Sequence, residues 1–181
     1  MLKRNRDFLN SDNKRNERNT SELQYNCGGY ALGTYSWYSP YDSHSEVVLQ
    51  ILDNLGNEKI LWYKILKNLG EEHTKQLLID FPNLKRGIVN NSKKIILYRL
   101  GLNLNYLLQS SGSLDYNDID FDFHFIIYDK DTKKATHKMG AEPIEEISDF
   151  SLEEFLNDEI PWDFDDFAGL TYNSPVFSFS K

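Results

Sequence analysis

The chain has 181 residues, of which 40% are hydrophobic and 14% aromatic, so it can bury a substantial core and is not a disordered protein. Its formal net charge of −8 argues against a broad surface that binds bare nucleic acid. A single cysteine excludes an internal disulfide, and no stretch approaches the ~18 apolar residues that span a membrane.

The first 22 residues are predicted to be a polar, partly basic arm. Lysine and arginine are interleaved there with acidic residues, and contact with nucleic acid is one role that this composition leaves open. The basic start is not followed by the apolar run of a signal peptide, so we expect a cytoplasmic protein. Residues 23–181 are predicted to form a single α+β domain.

Residues 26–38 have the pattern of a helix. Asn26 is a favourable N-cap, and aromatic and aliphatic residues recur at spacings of three and four. Gly28, Gly29 and Gly33 each cost about 1 kcal/mol of helix stability relative to alanine. We therefore expect this helix to pack closely against a sheet, or its backbone to approach a ligand.

A helical insert is predicted for residues 43–82. Two similar amphipathic helices cover 43–56 and 57–70, and each closes on a glycine. A third helix or turn covers 71–82 and stops at a proline. His44 and His73, which lie in this insert, are expected on the surface.

The sequence period changes to that of strands in the second half of the chain. Residues 95–100 and 119–128 are predicted strands, and a turn at 129–134 leads into a returning strand at 135–140, which makes a hairpin. The tail, 174–181, is expected to be a last strand at the edge of the sheet.

The segment 142–166 is strongly acidic. It holds eleven Asp and Glu residues and no Lys or Arg, and the part that reads SLEEFLNDE is predicted to be a helix. A solvated face is one interpretation of such a segment. The alternative is a nucleic-acid mimic, in which carboxylates take the place of phosphates in a basic groove.

Cys27, His124 and His137 form the constellation that is most suggestive of chemistry. A cysteine at a helix N-terminus has an electrostatic environment that favours the thiolate. A histidine on a neighbouring strand supplies a base, and a second polar group, across the hairpin, orients that base. We expect Gln24, Asn26 and Gly28 to lie at the helix start, where donors stabilise an oxyanion.

These residues resemble a known family. NCGGYA at 26–31, followed by HFIIYDKDTKKATHKMG at 124–140, is similar to the papain-like cysteine peptidases and amidases of the NlpC type. The same hairpin is similar to phage and gut-bacterial proteins of unknown role that carry a DYHW…SHK pattern. The resemblance implies a cysteine-bearing helix on a small antiparallel sheet. It also implies that Cys27 is the nucleophile, His124 the general base and acid, and His137 the orienting residue.

Two functions from different classes follow. The first is a papain-like cysteine hydrolase (an amidase, peptidase or deamidase acting on a protein or peptide), or a scaffold derived from one. The second is a phage or mobile-element counter-defence protein, such as an anti-CRISPR-like inhibitor of Cas9, that binds the basic groove of a nucleoprotein. No cofactor or metal is expected, because no paired-ligand spacing supports a zinc site, and no membrane partner is expected.

Overall fold

The computed structural model describes residues 24–40, 59–102, 121–164 and 171–181. The predicted N-terminal arm, the predicted helix at 43–56 and the last two acidic residues of 142–166 lie outside the described residues. The described part has an α+β fold with an antiparallel sheet, as predicted.

Three helices and eight strands make up the described part of the chain. The helices are α1 (Cys27–Leu32), α2 (Lys59–Asp80) and α3 (Leu152–Leu156). The strands are β1 (Lys85–Arg86), β2 (Lys94–Leu102), β3 (Phe121–Asp129), β4 (Lys134–Lys138), β5 (Ile144–Glu146), β6 (Trp162–Asp163), β7 (Thr171–Tyr172) and β8 (Phe177–Ser180).

The sheet has the strand order β1-β8-β2-β3-β4-β5, and all of its pairs are antiparallel. Strand β7 also pairs with β2, where Gly101 lies opposite Tyr172, and β6 pairs with β7. The hairpin of β3 and β4 has the predicted turn, and its register places Ile126 opposite His137.

Two apolar clusters cover the two faces of this sheet. We call the first side the helix face: there α1 and α2 pack on Tyr98, Phe125 and Phe179. We call the second side the C-terminal face: there Ile126 and Ala135 pack against residues from the 139–164 segment and β7. Because successive side chains of a strand point to opposite faces, neighbouring apolar residues such as Phe125 and Ile126 belong to different clusters.

Helix α1 is shorter than the predicted 26–38 helix, although its N-cap is Asn26 as predicted. Gly33 ends it in the left-handed conformation, with φ of 73°, and its N–H bonds back to the carbonyls of Gly29 and Tyr30. The chain then turns back over the helix, and a Cβ on Gly29 would lie 1.9 Å from the Ser36 carbonyl oxygen. Close approach of the chain to itself accounts for this glycine.

Helix α1 is also attached to the neighbouring strand β4. The Tyr30 hydroxyl lies 2.7 Å from the Thr136 hydroxyl oxygen, and the Lys138 ammonium lies 4.8 Å from the centre of the Tyr25 ring. The first contact holds α1 itself, and the second holds the residue before its N-cap, on the face where Thr136 and Lys138 point.

Helix α2 is continuous through Gly70, where the sequence predicted a helix end. A Cβ at Gly70 would lie 2.2 Å from the Phe177 ring, so this glycine makes room for close packing against β8. The Thr74 hydroxyl donates to the Gly70 carbonyl 2.8 Å away and supports the backbone there. A glycine in the sequence therefore marked a packing contact rather than a C-cap.

The tail and the acidic helix show one error and one confirmed prediction. Strand β8 lies between β1 and β2, inside the sheet, where the sequence predicted an edge strand. Its residues Phe177 and Phe179 are buried, and burial on this scale favours an interior position. The predicted acidic helix is present as α3, and the Ser151 side chain caps it by accepting from the Glu154 N–H.

Candidate functional site

Cys27 is the first residue of α1 and lies on the helix face. Its side chain is 5% exposed, among the apolar residues of that cluster. The thiol donates a long hydrogen bond, 3.9 Å, to the Phe123 carbonyl oxygen. Burial raises the pKa of the Cys27 thiol from 9.0 to about 12, with a smaller contribution from the negative charge of Asp122. The thiol is therefore protonated at neutral pH, because burial outweighs the short helix.

His124 and His137 lie on the C-terminal face. Nε2 of His124 is 2.9 Å from Nδ1 of His137, so one ring donates a hydrogen bond to the other. Both side chains are buried, and the Phe164 ring packs against both of them. Tyr172 also contacts His124, and its hydroxyl donates to Asp122 at 2.9 Å. The expected association of His124 with His137 across the hairpin is present.

The sheet separates Cys27 from this histidine pair. On β3, Phe123 and Phe125 belong to the helix-face cluster, whereas His124 between them contacts Phe164 and Tyr172 on the other side. The structure brings His124 and His137 together and does not bring Cys27 to them. The expected contact between the Cys27 thiol and His124 is absent from this arrangement, and the catalytic roles stay a prediction.

Two of the three residues predicted at the oxyanion site, Asn26 and Gly28, contact the loop that follows α1. The side-chain oxygen Oδ1 of Asn26 accepts from the N–H groups of Gly29 at 3.0 Å and Tyr38 at 3.1 Å. Its amide donates to the Tyr38 carbonyl at 2.8 Å. Gly28 is buried against that same returning loop, and Gln24 is exposed. The Asn26 side chain thus connects the start of α1 to the loop that follows it.

A buried histidine on the helix face was not expected from the sequence. His73 of α2, which was predicted to lie on the surface, is fully buried and hydrogen-bonds the Tyr98 hydroxyl through Nδ1. Burial raises the pKa of Tyr98 well above its ordinary value, and nearby Cys27 adds to the effect. A signal for burial was present, because His73 continues the apolar stripe of Leu66, Leu69 and Leu77 on α2.

Arg99 is a second residue that the sequence reasoning missed. It lies on β2 opposite His124, is fully buried, and points to the C-terminal face. Its guanidinium donates to the carbonyl oxygens of Ser174 at 2.6 Å, Ile160 at 2.5 Å and Asp158 at 2.8 Å. A cation in the otherwise apolar run IILYRL signals such a bonding role, because a buried charge needs partners.

Beside the histidine pair, a groove of about 490 Å³ opens on the C-terminal face. Its apolar lining includes Phe155, Trp162 and Phe164, and the last two of these are buried. Three carboxylate residues also line it, namely Asp149, Glu154 and Asp163. The guanidinium of Arg99 lies 5.7 Å from the centre of the Trp162 ring, so Arg99 supports one wall of the groove from below.

Comparisons with known proteins give no relative: no protein-family model, no curated protein and no solved structure matches this chain. In the described ranges, no helix is both long and apolar enough to cross a bilayer. The same part of the chain contains no group of three or more His, Cys, Asp and Glu side chains arranged to hold a metal.

Proposed function

We propose that this chain is a binding protein that attaches to a basic partner protein through its acidic segment. The observation that carries the proposal is the exposure of that segment. From β5 to β6, eight carboxylate residues are exposed, and one of them, Glu146, forms an ion pair with Lys134 at 2.9 Å. Those eight residues are Glu145, Glu146, Asp149, Glu153, Glu154, Asp158, Glu159 and Asp163.

Clustering of exposed charge of one sign favours a partner of opposite sign. Like charges that crowd one surface repel each other, and a cationic partner relieves this repulsion as it docks. A nucleoprotein groove that normally holds phosphates is the partner class that fits best. Inhibition of Cas9 or of another defence nucleoprotein is one biological form that such binding would take.

A cysteine hydrolase is the competing proposal, and the local geometry gives it less support. A nucleophile needs a lowered pKa or an adjacent base. Cys27 has a raised pKa, and the sheet lies between it and His124. What favours a papain-like origin is the helix start itself, with Asn26 as cap and Cys27 as first residue, packed on an antiparallel sheet. We therefore propose a scaffold of that kind that is used for binding.

The test compares two triple variants that remove the same charge. One neutralises Glu145, Glu153 and Glu159 in the acidic segment, and the other neutralises Glu71, Glu72 and Asp131 outside it. Binding of each to a twelve-residue arginine-rich peptide is measured by calorimetry at about 0.15 M salt, where the Debye length is about 8 Å. We expect about tenfold weaker binding for the first variant and less than about threefold for the second, since nearby charges dominate at short Debye lengths.

Equal losses in the two variants would mean that net charge alone attracts the peptide, and the proposal would then be rejected. A third protein, Cys27→Ala, serves as the control for catalysis and should bind the peptide as the wild type does. A loss of affinity in Cys27→Ala that exceeds its loss of stability would place the cysteine at the binding surface.

A further inference from the structure

The groove on the C-terminal face has an aromatic floor inside the acidic segment. Trp162 and Phe164 are 3% and 5% exposed, and Phe155 packs against Trp162 with their ring centres 5.8 Å apart. Phe155 also contacts Phe150, at 4.5 Å between ring centres, which fixes the outer wall. A concave surface of this kind removes water from a side chain that enters it.

Carboxylates stand at the rim of this floor. Asp149, Glu154 and Asp163 line the groove, all three are exposed, and no ion pair between described residues involves them. Their negative charge excludes an anionic or purely apolar occupant. A cationic side chain satisfies both parts of the groove, since it pairs with the carboxylates while its body covers the rings.

The underside of the groove already contains the same type of contact. Arg99 lies over the Trp162 ring at 5.7 Å, and the indole N–H of Trp162 donates to the Phe155 carbonyl at 3.1 Å. The ring is therefore held in place by one hydrogen bond and by a guanidinium on the inside. A planar guanidinium is more weakly hydrated than an ammonium. It stacks on aromatic rings and pairs with a carboxylate through two parallel N–H hydrogen bonds.

From these contacts we infer that the groove binds an arginine side chain of the basic partner, an inference that rests on the proposed function. The half-buried ring of Phe155 packs against the flat face of the guanidinium, and the buried rings of Trp162 and Phe164 form the apolar base behind it. The carboxylates of Asp149, Glu154 and Asp163 accept its N–H groups. The rest of the acidic segment attracts the basic partner toward the groove, and the groove binds one arginine of that partner.

The experiment uses the full chain and three blocked tripeptides, Gly-Xaa-Gly, in which Xaa is arginine, lysine or the uncharged isostere citrulline. The indole N–H signal of Trp162 is followed by NMR during each titration. We expect the arginine peptide to shift this signal at concentrations about tenfold lower than the citrulline peptide, because the charged pairing is lost in citrulline. The lysine peptide should fall between them.

Two matched triple variants locate the contact. The groove variant carries Asp149→Asn, Glu154→Gln and Asp163→Asn, and asparagine is chosen at 149 because it tolerates the positive φ of 53° found there. The control carries Glu145→Gln, Glu153→Gln and Glu159→Gln, which remove the same charge outside the lining. We expect the groove variant to lose about tenfold in affinity for the arginine peptide and the control less than about threefold.

Equal binding of the arginine and citrulline peptides, or equal losses in the two variants, would overturn the inference. Either result would leave the proposed function in place if the acidic segment still binds the longer peptide by its charge. If the longer peptide also binds without regard to where the carboxylates lie, the proposed function fails as well.

Discussion

The two faces of the sheet keep their buried polar groups paired in different ways. On the helix face, apolar side chains enclose Cys27 and the His73–Tyr98 pair. The Cys27 thiol donates to the Phe123 carbonyl oxygen, and His73 hydrogen-bonds the Tyr98 hydroxyl. On the C-terminal face, Arg99 is bonded by backbone carbonyls of the 158–174 region, and the histidine pair is covered by Phe164. Helices α1 and α2 cover the helix face, whereas the 139–164 segment and β7 cover the C-terminal face.

The cysteine thiol and the open groove therefore lie on different faces of the sheet. The thiol of Cys27 is buried among apolar side chains on one side of the sheet, whereas the groove on the other side offers carboxylates and rings to a partner. Replacing a buried polar group on the helix face is expected to change the stability of the protein. Replacing one on the C-terminal face is expected to change both the stability and the shape of the groove.

The largest expected effect concerns the reactivity of Cys27. Since its pKa is raised from 9.0 to about 12, the thiolate fraction at pH 8 falls by about a thousandfold compared with the unfolded chain. Iodoacetamide should therefore modify the native protein about a thousand times more slowly than the protein in denaturant. Alkylation of the native protein at the unfolded rate would contradict a closed helix face.

Alkaline conditions should expose the same burial as a loss of stability. Below pH 9 the thiol is protonated in both states and contributes nothing to the pH dependence. Between pH 9 and about 12 the unfolded state releases a proton that the native state keeps. The free energy of unfolding therefore falls as the pH rises, by up to about 4 kcal/mol.

The measurement is denaturant unfolding at several alkaline pH values in wild type and Cys27→Ser. Tyrosines titrate in the same range, so the difference between the two proteins is the informative quantity. It should shrink as pH rises, and a difference that stays constant would contradict the raised pKa.

Arg99→Met tests the C-terminal face. Three carbonyl oxygens lose a charge-assisted donor in this variant, and we expect a loss of about 3 kcal/mol in the free energy of unfolding. The Trp162 indole signal should also broaden or shift, because the guanidinium below its ring is gone. Arg99→Lys, which keeps the charge without the planar fork, should lie between Arg99→Met and wild type. An unchanged stability in Arg99→Met would show that other contacts hold the 158–160 turn.

The histidine pair should behave as a coupled unit. Replacing His137 by leucine removes the ring nitrogen that bonds Nε2 of His124, and we expect a cost of about 2 kcal/mol in the free energy of unfolding. The double variant with His124→Phe should lose less than the sum of the two single variants, because both remove the same hydrogen bond. Additive losses, measured by denaturant unfolding, would show that the two rings are energetically independent.

The smallest effect is expected at the N-cap of α1. Asn26→Ala removes two accepted hydrogen bonds and one donated bond, and caps of this kind contribute about 1 kcal/mol. Asn26→Asp keeps the acceptor and loses only the donor to the Tyr38 carbonyl. A ranking of wild type above both variants is expected in thermal unfolding, and a fully stable Asn26→Ala would show that the loop is held by other contacts.

Much of the sheet was predictable, and its assignment to two faces was not. Alternation in FDFHF and the polar turn DKDTKK predicted the hairpin, and the Asn26 cap predicted where α1 begins. The same alternation puts Phe123 and His124 on opposite faces. The sequence did not reveal which face receives α1, because both faces of β3 are buried in this structure and both therefore carry apolar residues.

The errors share a physical origin in long-range packing. Gly70 was interpreted as a helix end, whereas it accommodates the Phe177 ring from a distant strand. His73 was assigned to the surface from its polarity, although its hydrogen bond to Tyr98 satisfies it in the core. In each case the deciding partner lies far away in the chain, so local patterns do not identify it, although the apolar stripe of α2 already indicated that His73 is buried.

The position of β8 has a consequence for the order in which this sheet is completed. Strand β2 lies between β3 and β8, yet residues 177–180 emerge from the ribosome long after 94–102. Until they arrive, the edge of β2 that pairs with β8 in the finished sheet is an apolar, unpaired edge of the kind that associates with other chains. The complete sheet therefore forms only after residues 177–180 have been made.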